Sequence, residues 1–283
     1  MTRPPVIGVD IGGTSLRAAV VVSGIIGPVR SVPVQKAAGE RAVLADLFSL
    51  IDPLAGGDIR GLGVGVPSVI DLKTGVVTDV QNIPSWKRVP LRTHLEQRYG
   101  LPVFLNNDAN CFAAGEKHFG KARPFANAVG LIVGTGLGAG IIINGRLYCG
   151  ANCGAGEIGM LSYLDRNFEF YASGQYFRNV HGLSGEDLSG RASAGDGAAL
   201  EIFEEFGGHL GEAVKAIAYA FDPEIIVLGG SVSRSFPYFR RALWRRVRTL
   251  AYSAVVENLK IEVSETEHVA ILGAAALFED TIA

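Results

Sequence analysis

Cysteine, methionine and tryptophan are scarce in this 283-residue chain, at three, two and two residues, and neither sign of charge is in excess. Cys111, Cys149 and Cys153 give an odd count without a paired Cys-x-x-Cys set, which excludes an even disulfide framework. Free thiols in a reducing cytoplasm are expected. With 26 basic and 28 acidic residues the formal charge is −2, so no groove for nucleic acid is expected. The densest basic run, Arg240-Arg241 and Arg245-Arg246-Val247-Arg248, shares a helical pattern with Leu243, Trp244 and Leu250 and reads as a solvated face. Long hydrophobic runs are absent too. The longest uncharged stretch, Pro124 to Gly145, is crowded with glycine in its middle and reads as a buried hairpin, so no membrane span is expected. The chain passes from Met1 into a strand within a few residues, without the regions of a secretory signal.

Apolar residues and glycine are abundant. At 48% hydrophobic the chain is long enough for one large core or two modest ones. Its opening stretch, Val6 to Val22, places two β-branched runs around a Gly12-Gly13-Thr14 turn, which predicts a hairpin. Glycine lets a ligand approach bare backbone N–H groups, and such concavities bind anions. Asp10 lies just before the turn in an otherwise apolar strand, where a carboxylate is costly unless paired or near a cation. A phosphate cradle with Asp10 holding Mg²⁺, directly or through water, accounts for both features. A plain turn is the competing reading. The pattern recurs at Gly130 to Gly145 around Gly134-Thr135-Gly136, which predicts two halves of like topology gripping one polyphosphate.

Between the hairpins, Ala42 to Leu54 has helical apolar spacing, and Ile59 to Val66 reads as a buried strand. Strand, helix, strand predicts a parallel crossover and an α/β sheet, whose strand ends carry ligands. Gly65 lies at such an end. A helix over Val89 to Tyr99 precedes a short buried strand that runs abruptly into Asn106-Asn107-Asp108, a polar cluster that reads as a site. A helix N-cap is the alternative for Asn107-Asp108-Ala109. Ala109 to Phe119 forms the following helix, and a first boundary falls near residue 122.

In the second half, Glu157 lies in a loop of small residues that cannot hide a carboxylate, so it needs partners. Gly185 to Asp222 is helical, with Leu200, Phe203, Phe206, Leu210, Val214 and Ile217 as a core-facing stripe. A buried strand then ends in Gly229-Gly230, where a nucleoside could lie flat on the backbone; a strand-to-helix turn is the competing reading.

Asp10-Ile11-Gly12-Gly13-Thr14, Asn107-Asp108-Ala109-Asn110, Gly134-Thr135-Gly136-Leu137-Gly138, Gly156-Glu157-Ile158-Gly159 and Leu228-Gly229-Gly230 stand in an order that resembles the ROK-family sugar kinases, the bacterial glucokinase-like branch of the actin/hexokinase superfamily. The resemblance runs end to end. It implies an α/β fold of two actin-like, ribonuclease-H-like domains with a cleft between them, over residues 1–122 and 123–267, the helix of residues 268–283 completing the first. It also implies an ATP- and Mg²⁺-dependent hexose kinase, cytoplasmic and homodimeric. Asp108 would be the general base, with Gly65, Asn82, Asn107, Glu157 and Glu169 at the sugar. Gly12, Gly13, Thr14, Gly134, Thr135, Gly136, Gly229 and Gly230 would hold the nucleotide, and Asp10 the Mg²⁺.

Two departures bear on the substrate. Met160 stands where the family carries a His that touches sugar and a structural zinc, and residues 162–168 lack the family's cysteine set, so no structural zinc is expected. Glucose is the leading acceptor, with an N-acetylated hexosamine or another hexose as the alternative. The family also contains repressors and non-catalytic sugar binders; a DNA-binding segment ahead of the first hairpin is not expected here.

Overall fold

The computed structural model describes residues 4–12, 14–35, 39–80 and 83–282, with side chains as far as Phe278. Gly13 and Asn82, two of the expected site residues, lie outside the described residues. The chain divides into two units, one comprising residues up to Pro124, Arg146–Ala155 and those from Thr266 on, the other Phe125–Gly145 and Gly156–Glu265.

In the first unit, strands β1 (Val6–Ile11), β2 (Ser15–Val22), β3 (Ile25–Ile26) and β4 (Arg30–Pro33) precede helix α1 (Glu40–Ile51) and strand β5 (Leu62–Val66). A small antiparallel sheet follows, β6 (Val69–Asp71), β7 (Val76–Thr78) and β8 (Arg88–Val89), then α2 (Leu91–Tyr99), β9 (Val103–Asn107) and α3 (Asp108–Phe119). The main sheet runs β3-β2-β1-β5-β9 with β4 beside β2; β1, β5 and β9 are parallel, as the crossovers require. All six residues of β1 are buried. Val43, Leu47 and Ile51 of α1 cover this sheet with Val9, Ile11 and Val64 in one core.

The second unit repeats this plan. Strands β10 (Ala128–Val133) and β11 (Leu137–Ile143) form its hairpin. Between them and the next element in sequence, β12 (Arg146–Tyr148) opens the segment that groups with the first unit. The miniature hairpin β13 (Ser162–Tyr163) and β14 (Arg166–Asn167) leads into α4 (Phe168–Tyr171), α5 (Gly174–His181), α6 (Gly185–Ser193) and the 25-residue α7 (Gly197–Phe221). Strand β15 (Ile225–Gly229), α8 (Phe236–Val247), α9 (Ser253–Asn258) and β16 (Lys260–Val263) complete it, with order β11-β10-β15-β16 and β10, β15 and β16 parallel. Phe177 meets Phe203, and Phe206 meets Phe239, edge to face in its core, with the Phe206 and Phe239 centroids 5.2 Å apart.

Helix α10 (Val269–Ile282) belongs to the first unit and lies on its sheet and on α3. Glycine makes that approach possible: a side chain at Gly63 of β5 would run into the Ala274 carbonyl, and one at Gly273 into the Cys111 carbonyl.

Two expectations are corrected. Leu200 is 37% exposed, because the buried stripe of α7 runs through Ala199, Phe203, Phe206, Leu210, Val214 and Ile217 and leaves Leu200 about a quarter-turn away. The second half does not run unbroken over 123–267: residues 146–155 pack with the first unit, where Cys153 is buried in the core of β1, β5 and β9.

Candidate active site

In the first unit, strand register brings several of the expected site residues together. Asp10 of β1 stands opposite Gly65 of β5, and Gly65 opposite Asn106 of β9, so three motifs far apart in sequence lie abreast at the C-terminal ends of parallel strands. Gly65 has a packing reason to lack a side chain, since a Cβ there would crowd Cys111 Sγ at 3.1 Å. Burial first, then the negative charges of Asp10 and Asp108, push the Cys111 thiol well above its usual range, which places both carboxylates around one buried sulfur.

Asp10 is 5% exposed, and its Oδ2 accepts from Arg17 Nη2 at 2.5 Å. The β1–β2 register puts Arg17 directly across from it. This ion pair meets the requirement that a buried carboxylate have a partner. The donor chemistry also fits Mg²⁺, which keeps several waters and takes one or two carboxylates besides phosphate oxygens. Among the described residues no group of three or more His, Cys, Asp or Glu could hold a metal ion by itself.

Asn107, not Asp108, is the N-cap of α3: its Oδ1 accepts from Ala109 N at 2.8 Å, and its Nδ2 donates to the Ser68 carbonyl at 3.4 Å. Asn107, expected at the sugar, thus spends its Oδ1 on the cap of α3 and its Nδ2 on the chain between β5 and β6. Asp108 is the first helical residue, where the helix dipole favours the carboxylate. Its Oδ1 lies 2.9 Å from Ala109 N. Asn106 Oδ1 accepts from Asn107 N and from Asn110 Nδ2, each at 2.9 Å, and so fixes the turn from below.

In the second unit the expected site residues gather around Gly134-Thr135-Gly136. Gly134 N donates to Gly136 O at 3.0 Å, Gly174 N to Gly134 O at 2.7 Å, and Ser173 Oγ to Thr135 O at 3.1 Å. Glu169 lies under this turn: Oε2 accepts from Leu137 N at 3.0 Å and Oε1 from Gln175 Nε2 at 2.9 Å. A side chain at Gly136 would run into Glu169 Oε2, so glycine is required by close approach. Left-handed backbone is not used at Gly12, Gly134 or Gly136. It is used at Gly230, φ 85°, which closes against the backbone of Val133 beside the same turn.

Gly156 has φ 97°, and a side chain there would strike the Ala139 carbonyl. The close packing of this segment on β11 holds Glu157 near Glu169. Desolvation, and then the Glu169 charge, raise the Glu157 carboxyl above its ordinary value. Met160 is 48% exposed. The segment expected to lack zinc ligands carries an aromatic cluster: Tyr163 stacks on Phe168 at 4.6 Å and its hydroxyl meets His209 Nδ1 at 3.1 Å, while the Tyr171 hydroxyl donates to Asp165.

Each half therefore places glycine turns and carboxylates at the C-terminal ends of parallel strands. Sequence reasoning missed Arg17, Ser173 and Gln175. Arg17 was legible only through the hairpin register, which sets residue 17 against residue 10. Ser173 gave no local signal because its Thr135 target lies 38 residues earlier in the chain, and Gln175 gave none because its partner Glu169 lies across a helix boundary six residues back.

The ROK family profile matches residues 6–281, and the chain belongs to the ROK family. It is 28% identical to a glucokinase of Halalkalibacterium halodurans over 91% of this chain and 89% of that one. It is also 28% identical to a xylose repressor of Caldicellulosiruptor bescii, over 96% of this chain and 77% of the repressor. Among solved structures, a ROK-family glucokinase of Streptomyces griseus in complex with glucose and AMPPNP superposes with a TM-score of 0.83 at 28% identity, covering 96% of this chain and 98% of that one. The fold is the two-domain actin-like α/β fold of these kinases. No helix of the described residues is long and apolar enough to cross a membrane.

Proposed function

We propose that this protein is an ATP-dependent hexose kinase that transfers a phosphoryl group to a sugar hydroxyl, with glucose the leading acceptor. Phosphoryl transfer asks a protein for alignment, charge neutralisation and a base near the acceptor. Asp108 is the base, accepting the hydroxyl proton. The observation that carries this reading is the division of labour at the turn into α3: Asn107 takes over the cap, and Asp108 sits beside it at the helix N-terminus.

Gly12, Gly13 and Thr14 in one unit, and Gly134, Thr135, Gly136, Gly229 and Gly230 in the other, contact the nucleotide through backbone N–H groups. Asp10 would hold Mg²⁺, directly or through water, and the ion would supply charge neutralisation on the phosphates. Gly65, Asn82 and Glu157 are assigned to the sugar, and Asn107 to the turn that carries Asp108. Glu169 acts on the nucleotide through the Gly134-Thr135-Gly136 turn that it supports. Similarity to a glucokinase solved with glucose and AMPPNP supports both substrates. An exposed thioether at Met160 in place of an imidazole donor favours a bulkier, N-acetylated 2-substituent as the alternative acceptor. The xylose repressor similarity supports a second reading, a sugar-responsive regulator without turnover.

A coupled ADP-release assay with Mg²⁺-ATP across glucose, mannose, fructose, allose, N-acetylglucosamine and N-acetylmannosamine tests this reading. Sugar-dependent ADP release is expected, strongest with one hexose. Sugar binding by calorimetry without ADP release from any of the six would establish the regulator instead.

A further inference from the structure

Two sulfurs lie against the Asn106 carboxamide. Cys153 Sγ donates to Asn106 Oδ1 at 3.1 Å, and Asn106 Nδ2 donates to Cys149 Sγ at 3.2 Å. The Cys149 sulfur lies close enough to the Cys153 thiol to be the leading cause of its raised pKa. Their loop closes on itself, with Ala155 N donating to the Cys149 carbonyl at 3.2 Å. Cys153 is held at φ 56°, a conformation that a side-chain-bearing residue adopts where its surroundings impose it. Cys149 is partly exposed, whereas Cys153 and Cys111 are buried. Phosphoryl transfer has no use for any of these sulfurs. Among the described residues the pair has too few companions for a metal site.

We propose that Cys149 and Cys153 form a thiol-oxidation site at which a hydroperoxide converts the pair to an intramolecular disulfide, with Cys149 attacking and Cys153 resolving. The Cys149 sulfur beside it, and then burial, push the Cys153 thiol well above its usual range, so the first thiolate of the pair forms at the accessible Cys149. That thiolate attacks the terminal peroxide oxygen; the O–O bond breaks, an alcohol or water leaves with a proton, and Cys149 becomes a sulfenic acid. The Cys153 sulfur then attacks the sulfenic sulfur and displaces its hydroxyl, which leaves as water with the Cys153 proton. Two electrons pass from the thiols to the peroxide. Oxidation removes the Cys153 S–H donor from Asn106 Oδ1, the same atom that holds Asn107 N and Asn110 Nδ2. The turn carrying Asp108 is thereby loosened and turnover falls severalfold; this consequence alone rests on the kinase reading.

The test treats the reduced full chain with hydrogen peroxide and maps it by mass spectrometry after trypsin, with dimedone present in a parallel sample. Cys149 and Cys153 share the peptide of residues 147–166, apart from Cys111. That peptide is expected to lose two hydrogen atoms, reversibly with dithiothreitol, in the parent and in Cys111→Ser alike. Cys153→Ser stops at a sulfenic acid that dimedone traps on Cys149, and Cys149→Ser gives neither product. A disulfide that includes Cys111, or peroxide-treated parent whose 147–166 peptide keeps both thiols, would overturn the proposal; the parent decides even if a variant does not fold. A disulfide that leaves turnover unchanged overturns the link to Asp108, whereas a reduced chain without turnover counts against the kinase reading only.

Discussion

Asp10 and Arg17 face each other across the first hairpin, the carboxylate buried and the guanidinium 41% exposed on its side chain, with Nη2 and Oδ2 2.5 Å apart. The pair joins two demands on one carboxylate. Folding needs a countercharge for Asp10, and in the proposed chemistry the same carboxylate would also help to hold Mg²⁺.

Substituting each partner separates those demands. Arg17→Leu leaves a buried carboxylate without its cation and is expected to lower stability by about 1–2 kcal/mol, less than for a fully buried pair because Arg17 is solvent-screened. Asp10→Asn keeps the shape and is expected to fold normally, while the Mg²⁺ concentration for half-maximal turnover rises roughly tenfold, the loss of one charge-assisted contact. Chemical denaturation and a Mg²⁺ titration of turnover check the two outcomes.

Glu169 gives a prediction of a different kind. Its carboxylate holds Leu137 N at the exit of the Gly134-Thr135-Gly136 turn. Glu169→Gln replaces a charged acceptor by a neutral one, and the expected cost is about 1.5 kcal/mol in nucleotide binding, or roughly tenfold in KM for ATP. The KM for sugar is expected to change less. Steady-state kinetics with each substrate varied in turn would show the opposite split if Glu169 acted chiefly on the sugar.

Glu157 ties stability to pH. Its carboxyl is raised by desolvation and by Glu169, so the folded chain holds the proton more tightly than the unfolded chain does. The stabilising effect of that proton is complete below the ordinary carboxylate range and is lost as pH rises through the raised value. Glu157→Gln is therefore expected to melt above the parent at neutral pH, the gap closing as the pH falls toward 4 and below. Thermal unfolding of both proteins across that range is the check, and a gap that widens toward acid would reverse the sign.

Much of this was legible in the sequence because local physics decides it. β-Branched runs around a glycine turn form a hairpin wherever they occur, and β1–β2 and β10–β11 both do so. The abrupt change from Phe104-Leu105 to Asn106-Asn107-Asp108 marked a strand end that carries polar work. What the sequence concealed depends on partners far along the chain. The role of Glu169 is set by Leu137, thirty-two positions away, and the placing of residues 146–155 by a core that those residues enter from outside. The hairpin and helix over residues 162–171 consist of pieces two and four residues long, too short for either period to show. Leu200 was misjudged because a helical stripe drawn from large residues passes over Ala199, the small residue on the buried line.

The adjacent pair Asn107 and Asp108 carries the account's central claim, that neighbouring side chains divide between holding the turn and doing the chemistry. Asn107→Ala is expected to lose about 1 kcal/mol of stability with the removed cap. Asp108→Asn leaves that cap in place and is expected to keep the parent melting temperature. The most direct measurement is the turnover of Asp108→Asn on the best hexose, with ATP binding measured beside it. A fall in kcat of roughly 10²–10⁴, with ATP affinity held near the parent value, is the predicted result for loss of a general base. Turnover equal to that of the parent would contradict it.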